Sequence, residues 1–147
     1  MEFRDVSFKD MQLIFKWAND PLVRQNSFNQ NKIGLEEHKA WLKSKLADPN
    51  CLFLIGNVNN MPIGEVRIDV EDAKAVISFM IAEEHRGKGY GSQLIKGIVE
   101  SCRTIYPNIK YFIGNVKKSN IASQKSFLKA GFSERVRDIN LEYYLEV

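Results

Sequence analysis

Apolar positions near the start of the chain recur at the three- and four-residue spacing of an amphipathic helix. Residues 2–6 predict a short strand before it, and Ser7 with Asp10 forms the capping-box pattern that begins the helix. The apolar stripe of this helix is Met11, Ile14, Phe15 and Ala18. The tripeptide Asn19-Asp20-Pro21 is expected to end it.

A second helix is predicted after a polar stretch. Residues 19–33 are rich in Asn and Gln and indicate an ordered loop or a short irregular helix. Gly34 begins the next helix, and Asp48-Pro49-Asn50 ends it. The predicted inner face of this helix is Leu35, His38, Leu42 and Leu46.

The pattern then changes to the two-residue period of strands. Residues 51–58 are mostly apolar, and residues 74–82 are apolar on both faces, which predicts a central strand. Residues 62–70 alternate, which predicts an antiparallel strand with only one face buried. Its apolar face is Val66, Ile68 and Val70, and its polar face is Glu65, Arg67 and Asp69.

The C-terminal half predicts two crossover helices and three further strands. The first helix is long, and its apolar face is Leu94, Ile95, Ile98, Val99, Cys102 and Ile105. Residues 110–116 predict a strand, and Ser119 or Asn120 caps the second helix. Two last strands are expected at 133–137 and 140–146.

The resulting order, β-α-α-β-β-β-α-β-α-β-β, predicts a mixed α/β (α+β) fold with helices on both faces of one mostly antiparallel sheet. A length of 147 residues suits a single domain over 1–147. No apolar run approaches the roughly 20 residues that span a bilayer, and the N-terminus lacks the layout of a signal peptide. We therefore expect a cytoplasmic protein with no membrane partner.

The net charge and the cysteine content exclude only a few classes of partner. A net charge of +3 without a basic cluster does not indicate a nucleic acid partner. Cys51 and Cys102 lie far apart in apolar surroundings and are expected to be reduced core residues. With only His38 and His85, and no CxxC or HExxH pattern, no metal site is expected.

The most informative segment is Arg86-Gly87-Lys88-Gly89-Tyr90-Gly91, between a buried strand and a helix. Glycine lets the backbone approach a ligand closely, and the first amides of a helix have no internal partners. With the helix dipole and two basic side chains, these amides suit a diphosphate. Neither the P-loop nor the Rossmann glycine pattern fits. The alternative is that the glycines only form a tight turn.

The segment resembles the Q/R-x-x-G-x-G/A motif of the Gcn5-related N-acetyltransferases (GNAT superfamily), matched by Arg86, Gly89 and Gly91. The family's N-x-x-[AS]-x-x-x-[YF]-x-x-x-G-F motif is matched from Asn120 to Phe132. The resemblance covers the whole chain and implies acetyl coenzyme A (acetyl-CoA) as acetyl donor. The cofactor-binding residues that it implies are Phe79, Met80, Ile81, Arg86, Gly87, Lys88, Gly89, Tyr90, Gly91, Ser92, Asn120, Ser123 and Phe127.

Two positions depart from the family's catalytic pattern. Phe127 stands where many members place a Tyr acid, and Asn115 stands where ribosomal-protein acetyltransferases place a Glu base. Asn115 is expected to orient a water or the substrate, and Glu65 is a candidate base acting through water. A main-chain N–H near Met80 or Ile81 would polarise the carbonyl. Without a strong base, an amine on a sugar ring is a better acceptor than lysine, whose pKa is about 10.4.

The N-terminal half resembles acetyltransferases of UDP-linked 4-amino sugars from pseudaminic-acid and related surface-glycan pathways. The similar segments are Trp17–Arg24 and Glu36–Leu42. Because 147 residues leave no room for a second domain, the acceptor site is expected from residues 17–45 and the strand faces. The substrate-binding residues that follow are Trp17, Asn19, Arg24 and Arg67. Each has a structural alternative: Trp17 in the core, Arg24 in solvent and Arg67 in an ion-pair row.

The sequence therefore predicts an acetyl-CoA-dependent N-acetyltransferase that transfers directly to the primary amine of a small molecule, without an acyl-enzyme. The expected acceptor is a nucleotide-linked 4-amino sugar, and the expected state is a monomer or homodimer. Ribosomal-type protein N-terminal acetyltransferases share the N-terminal segments, so that activity is the first alternative. A non-catalytic acyl-CoA-binding module is the second.

Overall fold

The computed structural model describes all 147 residues and contains seven strands and five α-helices. The strands are β1 (Glu2–Asp5), β2 (Cys51–Val58), β3 (Met61–Glu71), β4 (Lys74–Ile81), β5 (Tyr111–Lys117), β6 (Ser133–Val136) and β7 (Asn140–Glu146). The helices are α1 (Met11–Ala18), α2 (Pro21–Asn26), α3 (Leu35–Ala47), α4 (Tyr90–Ile105) and α5 (Ile121–Lys129). The mixed α/β class is confirmed.

Helix α2 is the element that the predicted order lacks. Asp20 caps it, accepting hydrogen bonds from the N–H groups of Leu22 at 2.9 Å and Val23 at 3.3 Å. Pro21 occupies the first helical position, where its missing N–H costs nothing. The tripeptide predicted to stop α1 therefore also starts α2, and the polar stretch adopts the short-helix alternative.

The seven strands form one sheet in the order β1-β2-β3-β4-β5-β7-β6, with β4 at its centre as predicted. Every pairing is antiparallel except that of β4 with β5. This parallel pairing is short, since only Lys74–Val76 pair with Tyr111–Ile113. Beyond them the two strands diverge, and the outer edge of β4 from Ile77 to Ile81 faces a gap.

Helices cover both faces of the sheet, as predicted. Helices α4 and α5 pack on one face over the larger core, which includes Val66, Ile68, Ile98 and Phe112. Helices α1 and α3 pack on the other face over a smaller core, which consists of Val6, Met11, Ile14, Leu42, Phe53 and Ile55. None of the five helices combines the length and apolar character that a bilayer span requires.

Three burial predictions are wrong. The polar face of β3 is covered, and Glu65 is only 4% exposed, because α1 and α3 pack over the sheet there. Ile105, predicted on the buried face of α4, is 53% exposed because it lies in the last helical residue. Leu35 and Leu46 are likewise exposed near the ends of α3.

Candidate active site

Two cavities meet at the C-terminal end of β4. The loop cavity, about 400 Å³, lies between the glycine segment, α2 and α5. The β3 cavity, about 630 Å³, lies between β3, β4, α3 and the segment after α2. Four residues line both of them: Val23, Ser27, Phe79 and Met80. A molecule in one cavity can therefore reach a molecule in the other across β4.

The loop cavity collects most of the residues predicted to bind the cofactor. These are Phe79, Met80, Ile81, Arg86, Gly87, Gly89, Tyr90, Gly91, Ser92, Asn120 and Ser123. Two predictions are corrected. Lys88 is exposed outside the cavity. Phe127 is 2% exposed and packs against Phe79, Phe132 and Tyr143, because its ring fills the space above Gly114.

The glycine segment presents bare backbone to the loop cavity. Gly87 and Gly89 have φ values of 76° and 79°, a conformation that favours glycine. Gly89 is the N-cap of α4 and supplies no side-chain bond, so the first amides of the helix have no capping partner. A Cβ at Gly91 would collide with Ser126, so the start of α4 lies in close contact with the middle of α5.

Basic side chains surround these amides, and one of them, Arg86, is a residue that the sequence singled out. Arg86 pairs with Asp20 at 2.9 Å, which ties the glycine segment to the N-terminus of α2. Lys125 and Lys129 of α5, which the sequence analysis did not name, also line the cavity. Their spacing of four residues places them on one helix face, a signal that the sequence contained. Uncapped amides beside two lysines fit a diphosphate.

The gap beside β4 exposes main-chain hydrogen-bonding groups. The N–H of Ala82 donates to the carbonyl oxygen of Ile63 on β3 at 2.9 Å. Because bonding directions alternate along an antiparallel strand, Met80 faces β3, whereas the N–H groups of Phe79 and Ile81 face the gap. Ile81 therefore has the free main-chain N–H that the sequence predicts, and Met80 does not. Phe79 has a second free N–H, which the sequence analysis did not predict.

Glu65 is the one buried carboxylate of the β3 cavity. It lies on β3 directly opposite Met80, beside the junction of the two cavities. Its Oε2 atom is buried and has no hydrogen-bond partner. Burial raises the pKa of Glu65 to about 7, although the nearby charge of Arg67 opposes the shift. A carboxylate with this pKa can accept and release a proton near neutral pH.

Arg67 lies two residues further along the same face of β3. Its Nε donates to Asp69 at 2.9 Å, and its guanidinium lies 5.0 Å from the ring centre of Trp41 and 5.7 Å from that of Phe53. Lys45 also pairs with Asp69, at 2.7 Å. The predicted ion-pair row is therefore present, but Glu65 is not part of it.

Arg24 also lines the β3 cavity, and it holds the segment after α2 in place. Its Nε donates to the carbonyl oxygen of Ala18 at 2.7 Å. Its terminal nitrogens donate to the carbonyl oxygens of Asn29 and Asn31 and to the hydroxyl of Ser27. All these acceptors are neutral, so the positive charge of Arg24 has no carboxylate partner.

Besides Lys88 and Phe127, three further predicted site residues lie outside both cavities. Trp17 is 6% exposed, so burial takes it away from any substrate. Asn19 is bonded twice to the backbone of Ile33, at 2.8 and 2.9 Å, which closes the loop. Asn115 is exposed on β5 and accepts a hydrogen bond from Asn140 at 3.2 Å. Its predicted catalytic role has no support in this geometry.

Residues of α3 form part of the β3 cavity that the sequence left unassigned. His38 and Trp41 stack with ring centres 5.8 Å apart, and Glu37 lies beside them. Burial lowers the pKa of His38, although its contact with the carbonyl oxygen of Met11 opposes the shift. The spacing of Glu37, His38 and Trp41 places them on one helix face, but no pattern in the sequence showed that this face borders a cavity.

Comparison with known protein families identifies the family of the chain. Residues 1–133 match the sequence model of the acetyltransferase (GNAT) domain. The chain belongs to the GNAT acetyltransferase family. The protein is thus an N-acetyltransferase that uses acetyl-CoA. No group of side chains in this GNAT domain is arranged to hold a metal ion.

Solved structures share the fold of this GNAT domain at low sequence identity. A spermidine N-acetyltransferase from Vibrio cholerae, in complex with CoA and spermine, has a TM-score of 0.86 at 18% identity, over 99% of this chain and 94% of that one. The aminoglycoside acetyltransferase AAC(6')-Ib, with coenzyme A and kanamycin, has 0.82 at 19%, over 98% and 93%. A ribosomal-protein-alanine N-acetyltransferase from Brucella melitensis has 0.82 at 19%, over 100% of both chains. No curated protein sequence matches the chain.

Proposed function

We propose that the loop cavity holds acetyl-CoA and that the β3 cavity holds the acceptor amine. The uncapped amides at the start of α4, with Lys125 and Lys129, suit the diphosphate. The edge of β4 that faces the gap suits the pantetheine arm, which carries amides of its own. When bound, acetyl-CoA supplies the thioester that the amine attacks. The N–H groups of Phe79 and Ile81 are the donors available to its carbonyl oxygen.

Glu65 is the general base in this proposal. Its position opposite Met80 places it beside the junction of the cavities, where the amine must meet the acetyl group. The deprotonated carboxylate takes the proton that the amine loses, directly or through one water. Phe127, at the position of the family's tyrosine acid, lies in the core and has no proton to donate. A thiol pKa near 8.5 lets the thiolate leave without one.

The charge of the β3 cavity indicates the class of acceptor, and this observation carries the proposal. Arg24 has no acidic partner, and Arg67 and Lys45 share the single carboxylate of Asp69. Lys32 adds another cation to the lining, and Glu37 and Glu65 add two acidic groups. With Glu65 deprotonated, positive charge exceeds negative charge by one, which disfavours polycations and favours an amine that carries an anionic group. A nucleotide-linked 4-amino sugar combines both groups.

A panel of amines tests this function. Release of CoA thiol is measured with a UDP-linked 4-amino-4,6-dideoxyhexose, spermidine, kanamycin and a peptide with an N-terminal alanine. The expected result is that kcat/KM is highest for the nucleotide sugar, by at least tenfold. A higher kcat/KM for spermidine or kanamycin contradicts the anionic acceptor, and turnover of the peptide alone supports protein N-terminal acetylation. Tight CoA binding without turnover of any amine identifies a non-catalytic module.

A further inference from the structure

We propose that Arg67 forms a phosphate-binding subsite, in which its two terminal nitrogens hold a phosphate group of the acceptor. The inference rests on the proposed function only in taking the β3 cavity as the acceptor site. It adds which atoms of that cavity bind the acceptor, and the shortest separation between its phosphate and its amine.

The bonding of Arg67 leaves one side of its guanidinium free. Nε is used, since it donates to Asp69 at 2.9 Å. The two terminal nitrogens make no hydrogen bond within the protein, yet they are not enclosed, because neither is among the buried polar atoms without a partner. The side chain is 17% exposed and lines the β3 cavity. Two parallel N–H donors therefore border the cavity without a partner.

Packing holds this pair of donors in one orientation. The guanidinium lies over Trp41 and Phe53, and its Nε is fixed by Asp69, which Lys45 holds in turn. An arginine already held in this way loses little side-chain entropy when it binds an anion. A planar pair of N–H groups matches two oxygens of a phosphate.

The surrounding charge favours a phosphate. Asp69 carries one negative charge, but both Lys45 and Arg67 pair with it, so the group has one positive charge in excess. In the lining of the same cavity, Arg24 and Lys32 add two positive charges, and Glu37 and Glu65 add two negative ones, so one positive charge remains in excess. An anionic group such as a phosphate complements this excess.

The register of β3 sets the distance between phosphate and amine. Glu65 and Arg67 are two residues apart on the same face, so their Cα atoms are separated by about 7 Å. An acceptor that presents its amine to Glu65 and its phosphate to Arg67 must span at least this length, because the bond from Nε of Arg67 to Asp69 draws the guanidinium away from Glu65. A pyranose ring with an amine at C4 and a phosphate at C1 has these groups at opposite ends of the ring.

A different role for Arg67 is to preserve the charge of Glu65. The charge of Arg67 opposes the rise in the pKa of Glu65, so its removal raises that pKa further. That role predicts a shift of the pH profile toward higher pH for every amine, with no change in preference between amines. A phosphate subsite predicts that the preference itself is lost.

Binding measurements distinguish the two roles without turnover. The protein is saturated with CoA and titrated by calorimetry with a 4-amino-4-deoxyhexose 1-phosphate and with the methyl glycoside of the same sugar. The wild type is expected to bind the phosphate at least tenfold more tightly. Arg67→Gln is expected to reduce this ratio by at least tenfold, and Arg67→Lys by less, since lysine keeps the charge but not the paired donors. Arg103→Gln, on the exposed side of α4, is the matched control and keeps the wild-type ratio.

Two results overturn the subsite. The first is a wild type without preference for the phosphate, and the second is an Arg67→Gln variant, shown to be folded, that keeps the preference. Failure of the proposed function looks different. In that case the phosphate binds in an Arg67-dependent manner, but neither sugar is acetylated when acetyl-CoA replaces CoA.

Discussion

Glu65 combines two properties that ordinary surface carboxylates lack. It is enclosed by protein, and one of its oxygens has no hydrogen-bond partner. Both properties disfavour the charged form, and a pKa of about 7 follows from the burial. The features that make Glu65 costly to bury therefore also make it a suitable base at neutral pH.

Replacement of Glu65 by Gln removes the base with little change of shape. We expect kcat/KM at pH 7.5 to fall by about 100-fold or more, within the usual range for a general base. In the wild type, kcat/KM is expected to rise as the pH passes through about 7, because the carboxylate must be deprotonated. The variant should lack this limb. Glu36→Gln, exposed on α3 and outside both cavities, is the control, and an unchanged pH profile in Glu65→Gln would exclude the base.

At the scale of elements, the glycine segment depends on its backbone conformation. Gly87 has φ 76° and open space where a Cβ would stand, so Gly87→Ala adds strain without a collision. We expect the Kd for CoA to rise by about five- to fiftyfold, because the amides are reoriented. Gly34→Ala is the matched control, since Gly34 also has open space but φ −76°. Equal CoA affinity in both variants would contradict the assignment of the segment.

Helix α2 separates the two cavities, and Asp20 fixes its start. Although burial opposes the shift, Arg86 and the amides of α2 hold the pKa of Asp20 below its usual range. Asp20→Asn keeps a side chain that caps helices well, but it removes the charge that pairs with Arg86. We expect the KM values for acetyl-CoA and for the amine to rise together, by about two- to tenfold, because Val23 of α2 borders both cavities. Asp48→Asn is the control, and a change in only one KM would show that α2 does not link the cavities.

Local features of the site were predictable, and features that depend on tertiary cover were not. The glycine segment is defined by consecutive residues, so its conformation and its place before α4 follow from the sequence. The burial of Glu65 depends on α1 and α3, which the alternation of β3 does not reveal. The predicted role of Trp17 in substrate binding has no support for a related reason. The helical pattern does not say which buried positions border a cavity.

Over the whole molecule, one sheet borders both cavities. The divergence of β4 from β5 opens the loop cavity, and the opposite face of β3 and β4 forms the floor of the β3 cavity. The core beneath α4 and α5 is large and apolar, whereas the face beneath α1 and α3 includes Glu65, His38 and Asp10 among its buried residues. The larger apolar core and the proposed acceptor site thus lie on different faces of the sheet.

The buried ionisable groups of the acceptor face predict how stability varies with pH. Glu65 has a higher pKa in the folded state than in the unfolded state, so its contribution becomes less favourable as the pH rises from about 4.5 to about 7. His38, whose pKa is lowered by burial, acts in the opposite sense, since stability is lost as the pH falls below about 6.5. In the wild type, the two groups therefore change the free energy of unfolding with pH in opposite directions.

The Glu65→Gln variant isolates the contribution of Glu65 to the pH dependence of stability. We expect the Tm of the variant minus that of the wild type to increase between pH 5 and pH 8, because only the wild type has to bury a charge at the higher pH. The cost is on the order of 3 kcal/mol, which corresponds to several degrees. The measurement is calorimetry or circular dichroism across this range. A Tm difference that is the same at pH 5 and pH 8 would show that Glu65 titrates normally.

The segment from Ser27 to Ile33 is held by bonds to its backbone. Arg24 binds the carbonyl oxygens of Asn29 and Asn31, and Asn19 binds the main chain of Ile33. Every amino acid offers a main-chain carbonyl, and the side chains at 31 and 32 make no hydrogen bond within the protein, so these two positions can be exchanged without loss of the anchors. Asn29 is different, since its Oδ1 accepts a hydrogen bond from the N–H of Asn31 at 3.0 Å. If the β3 cavity holds the acceptor as proposed, substitutions at positions 31 and 32 change the shape and charge of its lining while Asn19 and Arg24 keep the segment in place.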